Sequence, residues 1–290
     1  MTHSAVDVTV VTADGHRLAV RRFAGDGGRR VVVAGATGVP QGFYRRFAEH
    51  AAARGFDVVT FDYRGIGDSA PRSLRGFRMD YRDWARLDLA SVVEYAATDE
   101  PVHLVAHSFG GHTLGLLPNP ALVVTMHAYG SGSGWHGWMP RSERLRVAFF
   151  WNILGPVVVR ANGYLAWKRF GLGEDLPIDV FRQWKHWCQF PEYWFDDPDV
   201  EVEMKSLFAR VTVPITACNA VDDRWSSPAA GDAFFRHYVN APVTRRDLRP
   251  ADLGQSRIGH MGYFRQGSES LWDALLHELD EHSSSSSKAD

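Results

Sequence analysis

Apolar residues along this chain follow two regimes. Near the N-terminus, residues 6–11 and 18–23 are short β-rich runs. The Asp14-Gly15 dipeptide between them favours the positive φ of a tight turn, so an antiparallel leading hairpin is expected. Beyond it, the runs at 31–33, 58–61, 102–105, 122–125 and 215–217 are apolar without alternation and are bounded by Gly and Pro. A strand that reads apolar at every position is covered on both faces, as in a parallel sheet with helices on each side. The pattern predicts a doubly wound α/β fold.

Asp80 precedes Tyr81, Trp84, Leu87, Val92 and Tyr95, a series that predicts a helix from an Asp80 N-cap to about Ala97. Further helices are expected at 228–238 and 269–281. From Trp135 to Trp194 the strand–helix rhythm stops, and seven of the ten tryptophans fall there, at 135, 138, 151, 167, 184, 187 and 194. This stretch is expected to be a helical cap. The expected organisation is a core in two parts, 1–134 and 206–282, an inserted cap at 135–205, and a serine-rich disordered tail at 283–290. The cap aromatics either pack it onto the sheet or line a substrate pocket, with Trp135, Trp138 and the upstream His107 as pocket candidates.

A chain of 290 residues with 45% hydrophobic content can bury one large core. Its formal charge is −2 with arginines scattered among acids, which argues against a nucleic-acid partner. The two cysteines, Cys188 and Cys218, lack the spacing of a zinc site or a disulfide framework, and a cytoplasmic location fits them. Residues 1–12 carry neither the charged nor the apolar region of a secretory signal. The longest apolar stretch, 147–159, is broken by Asn152, Gly155 and Pro156 and is shorter than the ~20 residues of a membrane span.

After residues 102–105 the chain reads Ala106-His107-Ser108-Phe109-Gly110-Gly111, a small-x-Ser-x-small pattern between a strand and a helix start. A nucleophile on a tight strand-to-helix turn draws together the backbones two residues before and after it, leaving room for little beyond Gly or Ala. Ser108 is therefore the candidate nucleophile. The amide of Phe109, at the helix start, is a candidate oxyanion donor. A second donor is expected from the loop Gly35-Ala36-Thr37-Gly38, with Ala36 preferred and Thr37 the alternative.

A serine hydroxyl needs a histidine to take its proton and a carboxylate to orient that histidine. His260, flanked by Gly259 and Met261-Gly262 before the last helix, is the candidate base. Asp223 is preferred as the acid, with Asp222 as the alternative and otherwise a turn or capping residue. The order Ser, Asp, His is one known order for such a triad. No metal or cofactor is expected.

These residues resemble the α/β-hydrolase superfamily, and more narrowly the bacterial predicted esterases of the serine aminopeptidase-like and lysophospholipase-like branch. The resemblance rests on Gly38-Val39-Pro40-Gln41-Gly42-Phe43-Tyr44-Arg45-Arg46-Phe47, Asp62-Tyr63-Arg64-Gly65-Ile66-Gly67-Asp68-Ser69, the Ser108 elbow, Asp222-Asp223, and Gly259-His260-Met261-Gly262-Tyr263-Phe264-Arg265. Ala34-Gly35 replaces the family's common His-Gly, and Ala106 its first elbow glycine. The resemblance implies an eight-stranded, mostly parallel sheet, the triad Ser108, Asp223 and His260, no cofactor, and hydrolysis of a carboxylic ester or related acyl bond. The implied partner is a small acyl substrate, and the tryptophan-rich cap makes an apolar moiety plausible.

Three rival readings stand beside this one. A nicotinamide-dependent short-chain reductase would use Gly35-Ala36-Thr37-Gly38 and the pair Tyr164 and Lys168, but Gln41 stands where the third fingerprint glycine should be. An acyltransferase would use the same triad with an alcohol, amine or thiol as acceptor. A binding module on a hydrolase fold would be expected to have lost a triad member, and all three stand here.

Overall fold

The structure, a computed structural model, describes residues 5–98, 100–171 and 173–286. Eight strands form one sheet: β1 (Ala5–Val11), β2 (Arg17–Phe23), β3 (Arg30–Ala34), β4 (Asp57–Phe61), β5 (Val102–His107), β6 (Val123–Tyr129), β7 (Ile215–Ala220) and β8 (Val243–Leu248). Their order is β1-β2-β4-β3-β5-β6-β7-β8. β1 pairs antiparallel with β2 and β2 with β4, and the remaining pairs are parallel. The leading hairpin turns at Gly15, whose φ of 86° is the left-handed value that a dipeptide ending in glycine allows.

The unbroken apolar runs are two-faced strands. Val31, Val33, Val58 and Val105 pack against helices α1 (Arg45–Ala52) and α8 (Glu269–Ser286), while Val32, Ala34, Val59, Leu104 and Ala106 face the opposite layer. That layer includes α2 (Ala90–Ala96) and α7 (Pro228–Phe235). Between β6 and β7 the chain leaves the sheet through α3 (Arg141–Phe149), α4 (Gly155–Asn162), α5 (Ile178–Trp187) and α6 (Glu201–Ala209). None of the described helices is long and apolar enough to cross a membrane.

Three helix boundaries differ from the sequence pattern. The helix expected from Asp80 begins as a wide π-turn, Trp84–Leu89, and becomes α-helical only at Ala90. Asp80 instead accepts the Arg82 amide at 2.8 Å, and the wide turn faces Trp84, Ala85, Asp88 and Leu89 inward. α7 ends at Phe235, short of Tyr238. α8 runs past Glu281 to Ser286, into the serine run expected to be disordered, because extending a helix costs far less than starting one. Residues 287–290 of that tail lie outside the described residues.

The strand order determines where a site can form. From β3 the chain steps to β4 on one side, and β5 then returns to the other side of β3. The connections after β3 and β5 therefore part in opposite directions and leave a crevice beyond the strands' carboxyl ends. Ala34-Gly35-Ala36-Thr37 and Ser108 sit on its two walls.

One buried ion pair ties this end of the sheet to the layers around it. Arg64, just after β4, donates to Asp88 through its own amide at 2.8 Å and through Nε at 2.7 Å, and reaches Asp14 in the hairpin turn at 2.7 Å. Asp88 is fully buried; burial pushes its pKa up to about 7 against the opposing pull of Arg64. Removing one partner of such a pair is costly, whereas exposed pairs contribute little. Arg64→Met is expected to lower stability by ~3 kcal/mol, and Arg21→Met, which breaks the outer pair with Asp7, by under ~1 kcal/mol. Urea denaturation of the two variants checks this, and equal losses would contradict it.

Candidate active site

Ser108 follows the last residue of β5 with φ 52°, one of two described non-glycine residues with positive φ. The turn beyond it, Ser108–His112, is a single tight helical segment. A Cβ at Gly110 would overlap the carbonyl of Ala34 on β3, and one at Gly111 would overlap the Ser131 side chain. The small residues are thus required by close approach of neighbouring backbone and side chains, as the elbow pattern anticipated. Ala106, two residues before Ser108, is fully buried.

The three residues expected to act together are brought together. His260 Nε2 lies 3.0 Å from Ser108 Oγ, and His260 Nδ1 lies 2.9 Å from Asp223 Oδ2. Asp223 is buried and well supplied with donors: Oδ1 accepts the amides of Trp225 at 2.8 Å and Ser226 at 3.0 Å, and Tyr263 Oη donates to Oδ2 at 3.3 Å. Burial opposes its charge, but the His260 charge and these hydrogen bonds prevail and hold its pKa below the ordinary value. At His260 burial again opposes the charged form, and the neighbouring Asp223 carboxylate outweighs it, so the imidazole pKa is raised.

Asp222 has a different role. Its two oxygens accept the amides of Ile258 and Gly259, each at 3.0 Å, and so clamp the loop that presents His260.

Two expectations need correction. The Ala36 amide donates to Tyr44 Oη at 2.8 Å, and Ala36 does not line the cavity beside Ser108. Thr37, the next residue, does line it, with its hydroxyl paired to that of Tyr81. His107 does not face the cavity either. Side chains alternate along β5, so His107 points toward the α1 and α8 side, where it is fully buried. Its Nδ1 lies 2.9 Å from Tyr44 Oη and its Nε2 lies 2.8 Å from the His260 carbonyl.

The cavity above Ser108 measures about 380 Å³. Trp151, Trp167 and Trp184 line it, but Trp135 and Trp138 do not. Those two pack edge-on against each other 5.5 Å apart, and Trp138 Nε1 donates to the Pro191 carbonyl at 2.9 Å. Sequence reading missed Trp225, whose ring stacks 6.0 Å from His260, and His112 and Tyr193 on the cavity wall. The positions of Trp225, two residues after Asp223, and of His112, one turn after Ser108, were the available signals.

Among the described residues, His186, Asp197 and Asp199 form the grouping with metal-ligand spacing, and none of them lines the cavity. Asp197 is already engaged by His186 Nε2 and Trp187 Nε1, both at 3.0 Å. Lys168, weighed above with Tyr164, pairs with Glu174 at 3.0 Å on the surface.

Comparison with solved structures finds the same architecture in functionally different proteins. A soluble variant of monoglyceride lipase from Saccharomyces cerevisiae aligns with a TM-score of 0.69 at 14% identity, covering 97% of each chain. A haloalkane dehalogenase loop variant from Bradyrhizobium elkanii aligns at 0.67 and 14%, covering 99% of each. An esterase from Exiguobacterium antarcticum aligns at 0.62 and 15%, covering 95% of this chain and all of its own. At these identities the likeness shows the fold alone. Curated protein sequences yield no significant match. A family model described as "Alpha/beta hydrolase family" matches residues 31–266, from β3 to just past His260, and with the fold it shows that this chain belongs to the alpha/beta hydrolase family.

Proposed function

We propose that this hydrolase cleaves a carboxylic ester or related acyl bond through an acyl-enzyme on Ser108. The observation that carries this reading is the continuous hydrogen-bonded line Ser108–His260–Asp223 ending in an apolar cavity. With Nδ1–H donating to Asp223, His260 keeps Nε2 unprotonated and able to accept the Ser108 proton. Ser108 Oγ then bonds to the acyl carbon and the leaving alcohol departs with the proton held on Nε2. Water, deprotonated at the same nitrogen, attacks the acyl-enzyme and releases the acid. The Phe109 amide, at the start of its turn, supports the developing oxyanion, and Thr37 is the second donor in this reading.

The hydroxyl nucleophile also discriminates among the chemistries found on this fold. Attack by serine on a saturated carbon bearing a halide would leave an ether, which water does not cleave at this site. Attack on an acyl carbon leaves an ester, which the same base hydrolyses. The nucleophile's identity therefore favours acyl chemistry over dehalogenation.

Three outcomes are expected. The purified protein should hydrolyse short or medium p-nitrophenyl esters with full activity in EDTA, and Ser108→Ala should abolish both hydrolysis and fluorophosphonate labelling. Labelling that persists in Ser108→Ala would place the nucleophile elsewhere.

The two aspartates should separate. Asp223→Asn misorients and destabilises the imidazolium, with an expected loss of about 10⁴-fold in kcat. Asp222→Asn loses one of two amide contacts and should cost under about tenfold, with a stability loss of ~1 kcal/mol. Steady-state kinetics and denaturation of both variants decide, and a larger kinetic loss at Asp222 would reverse the assignment.

Because only neutral His260 accepts the serine proton and Asp223 raises its pKa, kcat/KM should fall on acidification with a midpoint above the ~6.5 of an unperturbed histidine. A pH profile with its midpoint below that value would count against the pairing.

A further inference from the structure

One wall of the cavity has an outer face that the mechanism leaves unused. α3, the π-turn Phe150–Leu154 and α4 follow one another without a break from Arg141 to Asn162. The inner side of this stretch is buried through Val147, Trp151, Val158 and Val159, and Phe150, Trp151 and Leu154 line the cavity. On the outer side Leu145, Phe149, Ile153 and Val157 are each more than half exposed. Ten large apolar side chains are exposed among the described residues, and four of them stand on this one helix at a constant spacing of four. Residues four apart share a helix face, and the wide turn takes up the slow drift that this spacing accumulates in an α-helix. The result is a contiguous apolar stripe, which on a protein surface marks a place of interaction.

The charges around the stripe are of one sign. Arg141 lies four residues before Leu145 and Arg160 three after Val157, so both extend the same face, and Arg144 and Arg146 flank Leu145. All four arginines are exposed. The one acidic residue of the segment, Glu143, is buried and lies 3.4 Å from Arg146. A chain of net charge −2 thus presents an apolar stripe framed by cations. Such a face suits an anionic lipid surface: the apolar side chains enter among the acyl chains, and guanidinium groups on flexible stems reach back to the phosphates. A second copy of this chain fits less well, because pairing the stripes would set the arginines of one copy against those of the other with no exposed acid on the segment to offset them.

We propose that the outer face of this helix docks on an anionic phospholipid bilayer, with the helix lying in the plane of the surface. At ~1.5 Å per residue the stripe from Leu145 to Val157 is ~18 Å long, enough to lie along the interface. Phe149 belongs to both faces, since it stands in the stripe and also lines the cavity that contains Ser108. The docked face and the cavity meet at that ring, which gives a substrate dissolved in the bilayer a short apolar path to Ser108. That use of the surface rests on the acyl-hydrolase reading above, whereas the docking itself does not.

Flotation of the full chain with vesicles tests the docking. The wild type should bind vesicles of phosphatidylglycerol and phosphatidylcholine in equal parts at least tenfold more tightly than vesicles of phosphatidylcholine alone, and the binding should weaken as salt rises from ~0.1 M to ~1 M. Leu145→Gln with Ile153→Gln removes part of the apolar stripe, and Arg141→Gln with Arg160→Gln removes the cations at its two ends. Each pair should lower binding to the mixed vesicles at least tenfold. All four residues are exposed and glutamine is a good helix former, so the midpoint of thermal unfolding should stay where it is in the wild type. Should one pair fail to fold, the other pair and the comparison of the two lipid mixtures still decide.

No flotation of the wild type, or equal flotation with and without phosphatidylglycerol, would overturn the proposal, as would binding that survives either pair of substitutions. A dimer in sedimentation velocity without lipid that Leu145→Gln with Ile153→Gln returns to monomer would assign the stripe to a second copy instead. If the wild type takes no fluorophosphonate label, the acyl-hydrolase reading fails by itself, and flotation still decides the docking.

Discussion

A serine held in left-handed backbone at the end of a central strand is a conformation the chain does not adopt without compensation, and much of this structure supplies it. Such a residue carries about 1–3 kcal/mol of strain, which persists only where the surroundings leave no alternative. Here β5 is locked between β3 and β6 by parallel pairing, and Gly110 and Gly111 lie where any side chain would strike Ala34 or Ser131. Phe109 anchors the turn among Tyr81, Trp84 and Tyr63, the nearest stacked 4.3 Å away. The wide turn that faces Trp84 inward also delivers Asp88 to Arg64, so the pocket holding the elbow and the ion pair after β4 are two products of one distortion.

His260 and Asp223 reach Ser108 on separate loops, and the structure ties those loops to each other and to the strand beneath. His107 is central to this. Its Nε2 faces a carbonyl, so that nitrogen donates, and burial lowers its pKa to about 3 and keeps it neutral. Its Nδ1 must then accept the Tyr44 hydroxyl proton, which frees the Tyr44 oxygen to accept the Ala36 amide. Every proton in the chain Ala36–Tyr44–His107–His260 is thereby assigned. His107 anchors the His260 backbone and, through Tyr44, the loop after β3 without entering the cavity. Asp222 performs a parallel task next to Asp223, by clamping the two amides that precede His260.

The sequence was most legible where local geometry imposed residue type. Continuous apolar strands, the Asp14-Gly15 turn, and the small residues around Ser108 each have one dominant physical cause, and the fold follows from them. Spacing along the chain also named the three residues that the structure joins. What stayed hidden were relations across the chain. Nothing near Ala36 announces that Tyr44 will take its amide, and the candidacy of His107 failed because strand alternation sends it to the far side of the sheet. The tryptophans showed the same limit: composition marked the insertion as aromatic, but Trp151, Trp167 and Trp184 reach the cavity while Trp135 and Trp138 pack on each other, a distinction set by helix orientation.

That aromatic enclosure bears on the chemistry as well as on fit. An ion pair between Asp223 and protonated His260 gains strength as water is excluded, because the effective dielectric falls, while neutral groups beside it gain nothing. Trp225 stacks on one face of the His260 ring, with centroids 6.0 Å apart. His112, on the same cavity wall, is kept uncharged by burial, so it adds no positive charge beside the one that would form on His260. A largely aromatic wall in which His112 stays neutral therefore favours the local pairing. It leaves Asp223 as the close buried partner of the His260 imidazole.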